Sequence, residues 1–260
     1  MLKISNEKYQ NKFPFPFESV NNFLDEDLAL KVQDEILNIE DKHWDRYDNP
    51  LEKKYTLRNK QNLPENTQKL FNMLTSEEFV ENLSSVVGEK LFNDPTKNWW
   101  GVHKYDNGDK LEIHSDAGNH PVTGDKKHVT LGIYLSKNWS DNNGGHLEIW
   151  DGESVFNDDA KITKQITKIL PIFNTLVIFN NTNNAWHGNP DPVKCDENST
   201  RIFLTLSYLS KNHDKPYDNN RKKAFFVKRP HDIEDEEKDK IRLMRADENK
   251  FKEIYRYDKK

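Results

Sequence analysis

The stretch YDNGDKLEIHSD, residues 105–116, combines a polar turn, a short apolar run and the triplet His114-Ser115-Asp116. On a β-strand, side chains two positions apart point to the same side. If this run is a strand, His114 and Asp116 therefore face one point. An imidazole and a carboxylate directed at one point can bind a divalent metal ion. The stretch predicts part of a metal site, and the rest of the chain must supply a third ligand.

A His-x-Asp triplet is weak by itself, because the chain has nine histidines, is rich in aspartate and contains the triplet twice. The first copy, His43-Trp44-Asp45, follows a helical pattern and lies in a charged segment without strand character. We interpret it as surface or helix-end structure. The second copy lies in the β-rich part of the chain and is the better candidate for a metal site.

A third candidate ligand, His187, follows the apolar run TLVIF and a polar turn, and Gly188 stands next to it. A histidine beside glycine fits the mouth of a barrel better than a core, because glycine lets the backbone approach a ligand closely. Farther along, Arg201 opens the apolar run RIFLTLSYL. An arginine there is costly to bury unless an anion meets it, and a small dicarboxylate would serve.

Two histidines and one carboxylate on one face of a metal leave three positions open, as in the facial triad of non-haem Fe(II) oxygenases. Such a site needs a co-substrate that chelates the metal and supplies electrons, and 2-oxoglutarate does this through its keto-acid end. The distal carboxylate of 2-oxoglutarate then needs a fork of donors. Arg201 is suited to this bidentate contact.

The composition excludes several classes of protein. The chain has 260 residues, of which 34% are hydrophobic and 11% aromatic, and its mean hydropathy is −1.00, as in a folded protein with a very polar surface. A net charge of −5 gives no general attraction to nucleic acid or anionic membranes. Residues 211–260 carry 16 basic and 12 acidic side chains. We interpret them as a solvated mixed-charge face, with nucleic-acid contact as the alternative.

The single cysteine, Cys195, excludes an intramolecular disulfide and a zinc–thiolate site and fits a reducing compartment. The first residues lack the apolar core of a secretory signal. No stretch approaches the roughly 18 consecutive apolar residues of a membrane span. We expect a cytoplasmic protein that makes no membrane contact.

Two helices are predicted before the β-rich region. The first covers 24–39, where apolar residues recur at helical spacing. The second covers 76–87, with Thr75 and Glu78 as a capping box and Gly88 as its end.

From residue 97 onward, short β-rich runs alternate with clusters of Asn, Asp, Gly and Pro. This pattern is typical of a β-sandwich or barrel. A charged helix is predicted over 232–246. We predict one domain over 1–260, made of a mainly helical flank (1–95), a β core (97–211) and a charged C-terminal extension (212–260).

In their order, these motifs resemble the prolyl 4-hydroxylase-like branch of the 2-oxoglutarate/Fe(II)-dependent oxygenases. The resemblance runs from about residue 97 to 211 and rests on three groups of motifs. They are YDNGDKLEIHSD, then HVTLGIYLSKNW with NNGGHLEIW, and finally FNTLVIFNNTNNAWHGNPDPV with TRIFLTLSYLS. The resemblance implies an α+β protein with a double-stranded β-helix, or jelly roll, as its core, N-terminal supporting helices and a C-terminal helical tail.

The resemblance also implies roles for six residues. The ligands of Fe(II) would be His114, Asp116 and His187. Arg201 would pair with the distal carboxylate of 2-oxoglutarate, and the Tyr134 hydroxyl would donate a hydrogen bond to the same carboxylate. Tyr105 would lie near the co-substrate. Simple packing is the alternative interpretation for both tyrosines, and ascorbate is a further cofactor that the family suggests.

Several other side chains near these motifs are interpreted as ordinary strand or core residues, because the spacing of the third ligand and the arginine already fits His114. They are His128, His146, Glu148, Trp186, Trp139 and Trp150.

The activity implied is hydroxylation of an unactivated C–H bond, foremost of a prolyl residue in a protein or peptide, with release of succinate and CO2. The alternatives are the same reaction on a free amino acid, a small metabolite or nucleic acid, and a jelly-roll binding module without turnover. The segment KAFFVKRP, 223–230, either buttresses the barrel or docks onto a partner or a second protomer. The sequence leaves open whether the protein is a monomer or a homodimer.

Overall fold

The computed structural model describes residues 1–58, 62–154, 160–197, 199–211, 224–247 and 250–254. The helices are α1 (Asn6–Gln10), α2 (Glu26–Leu37), α3 (Glu65–Leu74), α4 (Glu77–Val87), α5 (Glu236–Ala246) and α6 (Phe251–Ile254). The strands are β1 (Phe17–Val20), β2 (Trp44–Asn49), β3 (Glu52–Leu57), β4 (Phe92–Asn93), β5 (Gly101–Tyr105), β6 (Lys110–Ser115), β7 (Lys126–Tyr134), β8 (Leu147–Gly152), β9 (Ile162–Ile169), β10 (Thr175–Asn180), β11 (Trp186–Asn189), β12 (Arg201–Ser210) and β13 (Phe225–Phe226). None of the described helices has the length and apolar character that a bilayer-spanning segment needs.

The strands form one antiparallel sheet that curls nearly into a barrel. Its hydrogen-bonded order is β1-β10-β7-β12-β5-β3-β6-β11-β8-β9, and β13 pairs with β6, β2 with β3 and β4 with β12. The α+β class and the jelly-roll core predicted from the sequence are confirmed. The prediction of one domain over 1–260 stays a prediction.

The two faces of the sheet have different environments. Leu131 and Ile133 of β7 pack with Leu176 of β10 and with the apolar sides of α2, α3 and α4 in the main core. Tyr134 and Phe179 belong to a separate cluster on the opposite face. Because successive strand residues alternate between faces, the helices cover one side of the sheet and the other side lines the barrel interior. Tyr134 therefore points inward.

Helix α4 begins one residue later than the predicted capping box. Ser76 is the N-cap, and its hydroxyl accepts a hydrogen bond from the Phe79 amide at 3.2 Å. Thr75 ends the preceding helix, so the predicted Thr75–Glu78 capping box is wrong. Gly88 ends the helix with φ of +74°, as predicted.

The sequence analysis missed helix α3, whose N-terminus is capped from another helix. The Glu35 carboxylate on α2 accepts hydrogen bonds from the backbone amides of Asn66 and Thr67, each at 2.7 Å. These bonds lower the pKa of Glu35 even though burial alone would raise it. Because the cap comes from a residue distant in sequence, no local capping motif marks the start of α3.

The N-terminal flank also adds strands to the sheet. Trp44 is buried and begins β2, so the segment around His43 contains a strand that its charged composition concealed. Strand β3 lies between β5 and β6, with Tyr55 opposite Lys104 and Glu52 opposite Leu111. This hairpin therefore borders the strand that carries the His-x-Asp motif.

The C-terminal extension folds back onto the same strand. Phe226 of β13 pairs with His114, and Phe225 pairs with Ser115. The segment predicted as a buttress or docking strand thus pairs with its own chain. Helix α5, which begins at Glu236 rather than at residue 232, packs against β13, and Lys238 bonds the Glu112 carboxylate at 2.6 Å.

Candidate functional site

Strands β6 and β11 bring together the three predicted metal ligands. The strand register places His187 opposite His114, and their ring centroids lie 4.5 Å apart. Asp116 follows β6, with its Oδ1 at 3.5 Å from His114 Nε2. One ligand atom of each residue lies within 4.8 Å of the others. Among the described residues this is the one group of three such side chains with metal-site spacing, and it can hold a divalent ion.

Backbone hydrogen bonds orient both imidazoles. His114 Nδ1 lies 2.9 Å from the carbonyl oxygen of Glu112, and His187 Nδ1 lies 2.8 Å from that of Ala185. A carbonyl oxygen can only accept a hydrogen bond, so each Nδ1 carries a proton and acts as the hydrogen-bond donor. Each Nε2 is then left with a free lone pair, which is the arrangement that metal-binding histidines need.

The charge states of two ligands also suit a metal. Burial alone would raise the pKa of Asp116, but the Lys127 ammonium and the neighbouring imidazoles hold that pKa well below its usual range. Burial and the nearby His114 ring lower the pKa of His187 to about 4. At neutral pH both groups are therefore deprotonated and ready to bind a cation.

Arg201 begins β12 and is nearly inaccessible to solvent, with 2% of its surface exposed. Its guanidinium carbon lies 4.6 Å from the ring centroid of Tyr105 and 4.9 Å from that of Tyr134. The Arg201 Nε and Nη1 atoms and the Tyr134 hydroxyl have no hydrogen-bond partner among the described residues. Burial raises the pKa of Tyr134 to about 12, so its hydroxyl stays protonated. Buried donors without partners are costly, and a carboxylate would satisfy them.

Gly145 makes room for this arginine. It has φ of +66°, and a Cβ at this position would lie 2.9 Å from Arg201 Cδ and 3.2 Å from Nε. A larger residue would therefore be strained and would push the guanidinium aside. The second glycine of the Gly-Gly pair thus leaves the space that the Arg201 side chain occupies.

One cavity of about 330 Å³ joins the two groups. Its lining includes the three metal-ligand candidates together with Tyr105, Tyr134 and Arg201. A metal at the triad and an anion at the arginine would thus share one cavity.

Residues 100–209 match the family described as the 2OG-Fe(II) oxygenase superfamily. This span covers 110 of the 260 residues and contains all six residues to which the resemblance assigns roles. Fe(II) and 2-oxoglutarate are the metal and co-substrate of 2OG-Fe(II) oxygenases, and the chain is a 2-oxoglutarate-dependent dioxygenase. The donor set of two imidazoles and one carboxylate fits Fe(II), and the unpaired donors at Arg201 fit one end of a small dicarboxylate.

Solved structures show the same fold at low sequence identity. A prolyl-4-hydroxylase from Pseudomonas putida superposes with a TM-score of 0.55 at 15% identity, over 76% of this chain and 95% of that one. A prolyl hydroxylase from Trichoplax adhaerens gives 0.55 at 20% identity, over 75% and 83%. Prolyl 4-hydroxylases from Phytophthora capsici give 0.54 at 16% identity, over 82% and 65%. No curated protein matches this oxygenase in sequence.

The sequence analysis missed Lys127 as a site residue of the oxygenase. Its ammonium lies 2.7 Å from Asp116 Oδ2, and its side chain is 9% exposed. Simple alternation would place Lys127 on the helix-covered face with Val129. The register of β7 on β12 shifts between these residues, which marks a β-bulge and turns Lys127 into the cavity.

Gly188 has a structural role that the sequence analysis did not foresee. A Cβ on Gly188 would lie 2.7 Å from the carbonyl oxygen of Glu112 and 2.8 Å from that of Leu111. The glycine allows β11 to lie close against β6. Gly188 also lines the cavity, and the expected approach of its backbone to a ligand stays a prediction.

The remaining candidates lie outside the metal group of the oxygenase. Glu148 accepts a hydrogen bond from the Trp150 indole and pairs with Lys168, while His146 pairs with Asp141. The indoles of Trp139 and Trp186 donate to the backbone carbonyls of Gly144 and Glu153, respectively.

The stability of the oxygenase should depend on His128, whose ring lies 2.9 Å from the Ser210 hydroxyl. Burial and the nearby Lys126 lower its pKa from 6.5 to about 4. The unfolded chain then binds this proton more tightly, so acidification from pH 6.5 towards 4 favours unfolding. From pH 7 to 5, the wild type should lose about 1–2 kcal/mol more unfolding free energy than His128→Asn. Urea titrations at both pH values measure this, and equal losses would contradict it.

Proposed function

We propose that this dioxygenase hydroxylates a prolyl residue in a protein or peptide and releases succinate and CO2. One atom of dioxygen enters the C–H bond as a hydroxyl group, and the other enters succinate as 2-oxoglutarate loses CO2. The observation that carries the proposal is the shared cavity, which combines three metal-ligand side chains with unpaired buried donors at Arg201 and Tyr134.

The metal-binding residues in this proposal are His114, Asp116 and His187, with both imidazoles using Nε2. When bound, Fe(II) supplies open coordination positions and the redox chemistry of dioxygen activation. Lys127 is a positioning residue, because its ammonium holds Asp116 Oδ2 and leaves Oδ1 on the side of His114. The carboxylate therefore presents one oxygen to the metal.

Arg201 and Tyr134 bind the distal carboxylate of 2-oxoglutarate in this proposal. The guanidinium offers Nε and Nη1, and the phenol offers a third donor. The ring of Tyr105 lies against the guanidinium and helps to orient it. Because the planar Arg201 guanidinium is held against aromatic rings, it loses little conformational entropy on binding a carboxylate.

The prolyl substrate is supported by similarity of fold. The Pseudomonas putida neighbour is a prolyl-4-hydroxylase, and the Trichoplax adhaerens neighbour is a prolyl hydroxylase in complex with a hypoxia inducible factor peptide fragment. A peptide is therefore the substrate class that we assign to this cavity.

Asp116→Ala should remove Fe(II) binding and reduce succinate formation to the level without enzyme, because the metal loses its one anionic ligand. Asp45→Ala is the matched control, since Asp45 occupies the same place in the other His-x-Asp triplet but is exposed and paired with Arg58. Anaerobic metal titration and a succinate assay measure both effects. If Asp116→Ala formed succinate at the rate of the parent protein, the metal-site assignment would be wrong.

Arg201→Met should raise the Kd for 2-oxoglutarate by about a hundredfold, because a buried charge-assisted contact is lost. Gly145→Ala should shift the same affinity in the same direction, since its Cβ would displace the guanidinium. Calorimetry with Mn(II) in place of Fe(II) gives these constants, with the exposed Arg58→Met as control. An unchanged constant for Arg201→Met removes this residue from the co-substrate site.

The target residue can be tested with a pool of synthetic peptides, each with one proline, incubated with Fe(II), 2-oxoglutarate and dioxygen. Mass spectrometry should find a gain of one oxygen atom on proline. A matched pool with alanine in place of proline should show no gain. Oxygen on another residue, or on none, would end the prolyl assignment and leave the dioxygenase chemistry in place.

A further inference from the structure

The cavity has a second charged region, which we call the charged wall. It consists of Tyr47, Glu52 and Lys54 from the β2–β3 hairpin and Arg245 from α5, all of which line the cavity. Lys54 Nζ lies 3.1 Å from Glu52 Oε2 and 5.6 Å from the ring centroid of Tyr47. These residues lie outside the span, 100–209, that matches the superfamily.

The charged wall lies beside the metal ligands. The Arg245 guanidinium carbon is 5.8 Å from the ring centroid of Phe226, and that ring centroid is 5.1 Å from the His114 ring centroid. On the other side, Lys54 interacts electrostatically with Tyr105, which packs against Arg201. The wall therefore reaches from the metal ligands towards the co-substrate end of the cavity.

The wall is charged rather than neutral. Burial alone would raise the pKa of Glu52, but Lys54 and Arg245 lower it. Burial alone would lower the pKa of Lys54, but Glu52 raises it. Both side chains are therefore ionised at neutral pH.

The cavity carries an excess of positive charge. Among the described residues, its charged lining consists of Glu52, Lys54, Asp116, Lys127, Arg201 and Arg245, four bases and two acids with a net charge of +2. Fe(II) and the 2-oxoglutarate dianion cancel each other, so this excess remains when both are bound. In a cleft lined by an excess of one sign of charge, an occupant of the opposite sign is favoured, so the excess favours an anionic third occupant.

We propose that the substrate is an acidic peptide, with a carboxylate beside the hydroxylated residue that binds Lys54 and Arg245 at the charged wall. This inference rests on the proposed function, since it takes the metal and 2-oxoglutarate to lie at the triad and Arg201. Glu52 fixes the Lys54 ammonium in place. The β2–β3 hairpin and α5 thereby select the substrate, while the jelly-roll core carries out the chemistry.

The test uses the immobilised protein loaded with Mn(II) and 2-oxoglutarate. In this form the protein binds peptides but does not hydroxylate them. A synthetic library with a central proline and randomised flanks is applied, and the retained peptides are sequenced by mass spectrometry. Asp and Glu should be enriched about tenfold over the input at one fixed position relative to proline. Lys54→Met and Arg245→Met should each reduce this enrichment to the input level.

Two further variants separate binding from folding. The matched control is Lys53→Met, because Lys53 is adjacent on β3, is 41% exposed and pairs with Asp48 outside the cavity. It should retain the enrichment. The double variant Glu52→Gln/Lys54→Met removes both partners of the ion pair, so neither is left buried without the other. It should fold and lose the enrichment, whereas Lys54→Arg should keep it.

A retained pool without acidic enrichment, an empty pool, or enrichment that persists in both Lys54→Met and Arg245→Met would overturn the inference. The Kd values for Mn(II) and 2-oxoglutarate, measured on the same samples, identify which proposal has failed. Normal binding of both with no acidic preference overturns the charged wall alone. Failure to bind them at the triad and Arg201 overturns the proposed function and this inference with it.

Discussion

The register of β11 on β6 is the constraint on which the rest of the site depends. It sets His187 opposite His114, and a slip of one residue would turn His187 to the other face of the sheet. Gly188 permits this pairing, because any side chain there would meet the backbone of β6. The Glu112 carbonyl in that same stretch accepts a hydrogen bond from His114 Nδ1–H, so strand pairing and the orientation of the imidazole are parts of one arrangement.

Charge dominates the interior of this barrel. Buried ions are costly unless partners compensate them, and the cavity meets this condition with close pairs: Lys127 with Asp116 and Lys54 with Glu52. Arg201 differs, because two of its donors are unsatisfied within the described chain. The described lining of the cavity therefore carries a net positive charge, which favours small anions. An Fe(II) ion and the 2-oxoglutarate dianion would cancel each other's charge, so this excess would remain with both bound.

Segments on both sides of the superfamily region complete the cavity. The β2–β3 hairpin comes from the N-terminal flank and joins the sheet between β5 and β6. Strand β13 and helix α5 come from the C-terminal extension. They place Phe226 opposite His114 and Arg245 in the cavity lining. The superfamily region therefore supplies the metal-ligand candidates and Arg201, while the flanks supply other parts of the cavity lining. Function on a common fold generally diverges in this way.

The sequence by itself indicated a β-rich core from its short strand-like runs, and it offered the metal-ligand candidates and Arg201 within short motifs. The jelly-roll topology followed from the resemblance of those motifs, in their order, to an oxygenase family. The structure then placed Tyr134 on the inner face, opposite Leu131 and Ile133. Only the tertiary structure revealed the β2–β3 strands, since side chains that face a polar cavity do not alternate between apolar and polar. It also turned Lys127 inward through a β-bulge, and it capped α3 from Glu35 on a different helix. Local sequence patterns reflect the periodicity of the strand or helix to which a residue belongs. Contacts between segments distant in sequence leave no such periodic signal, and they decide which charged groups meet in the cavity.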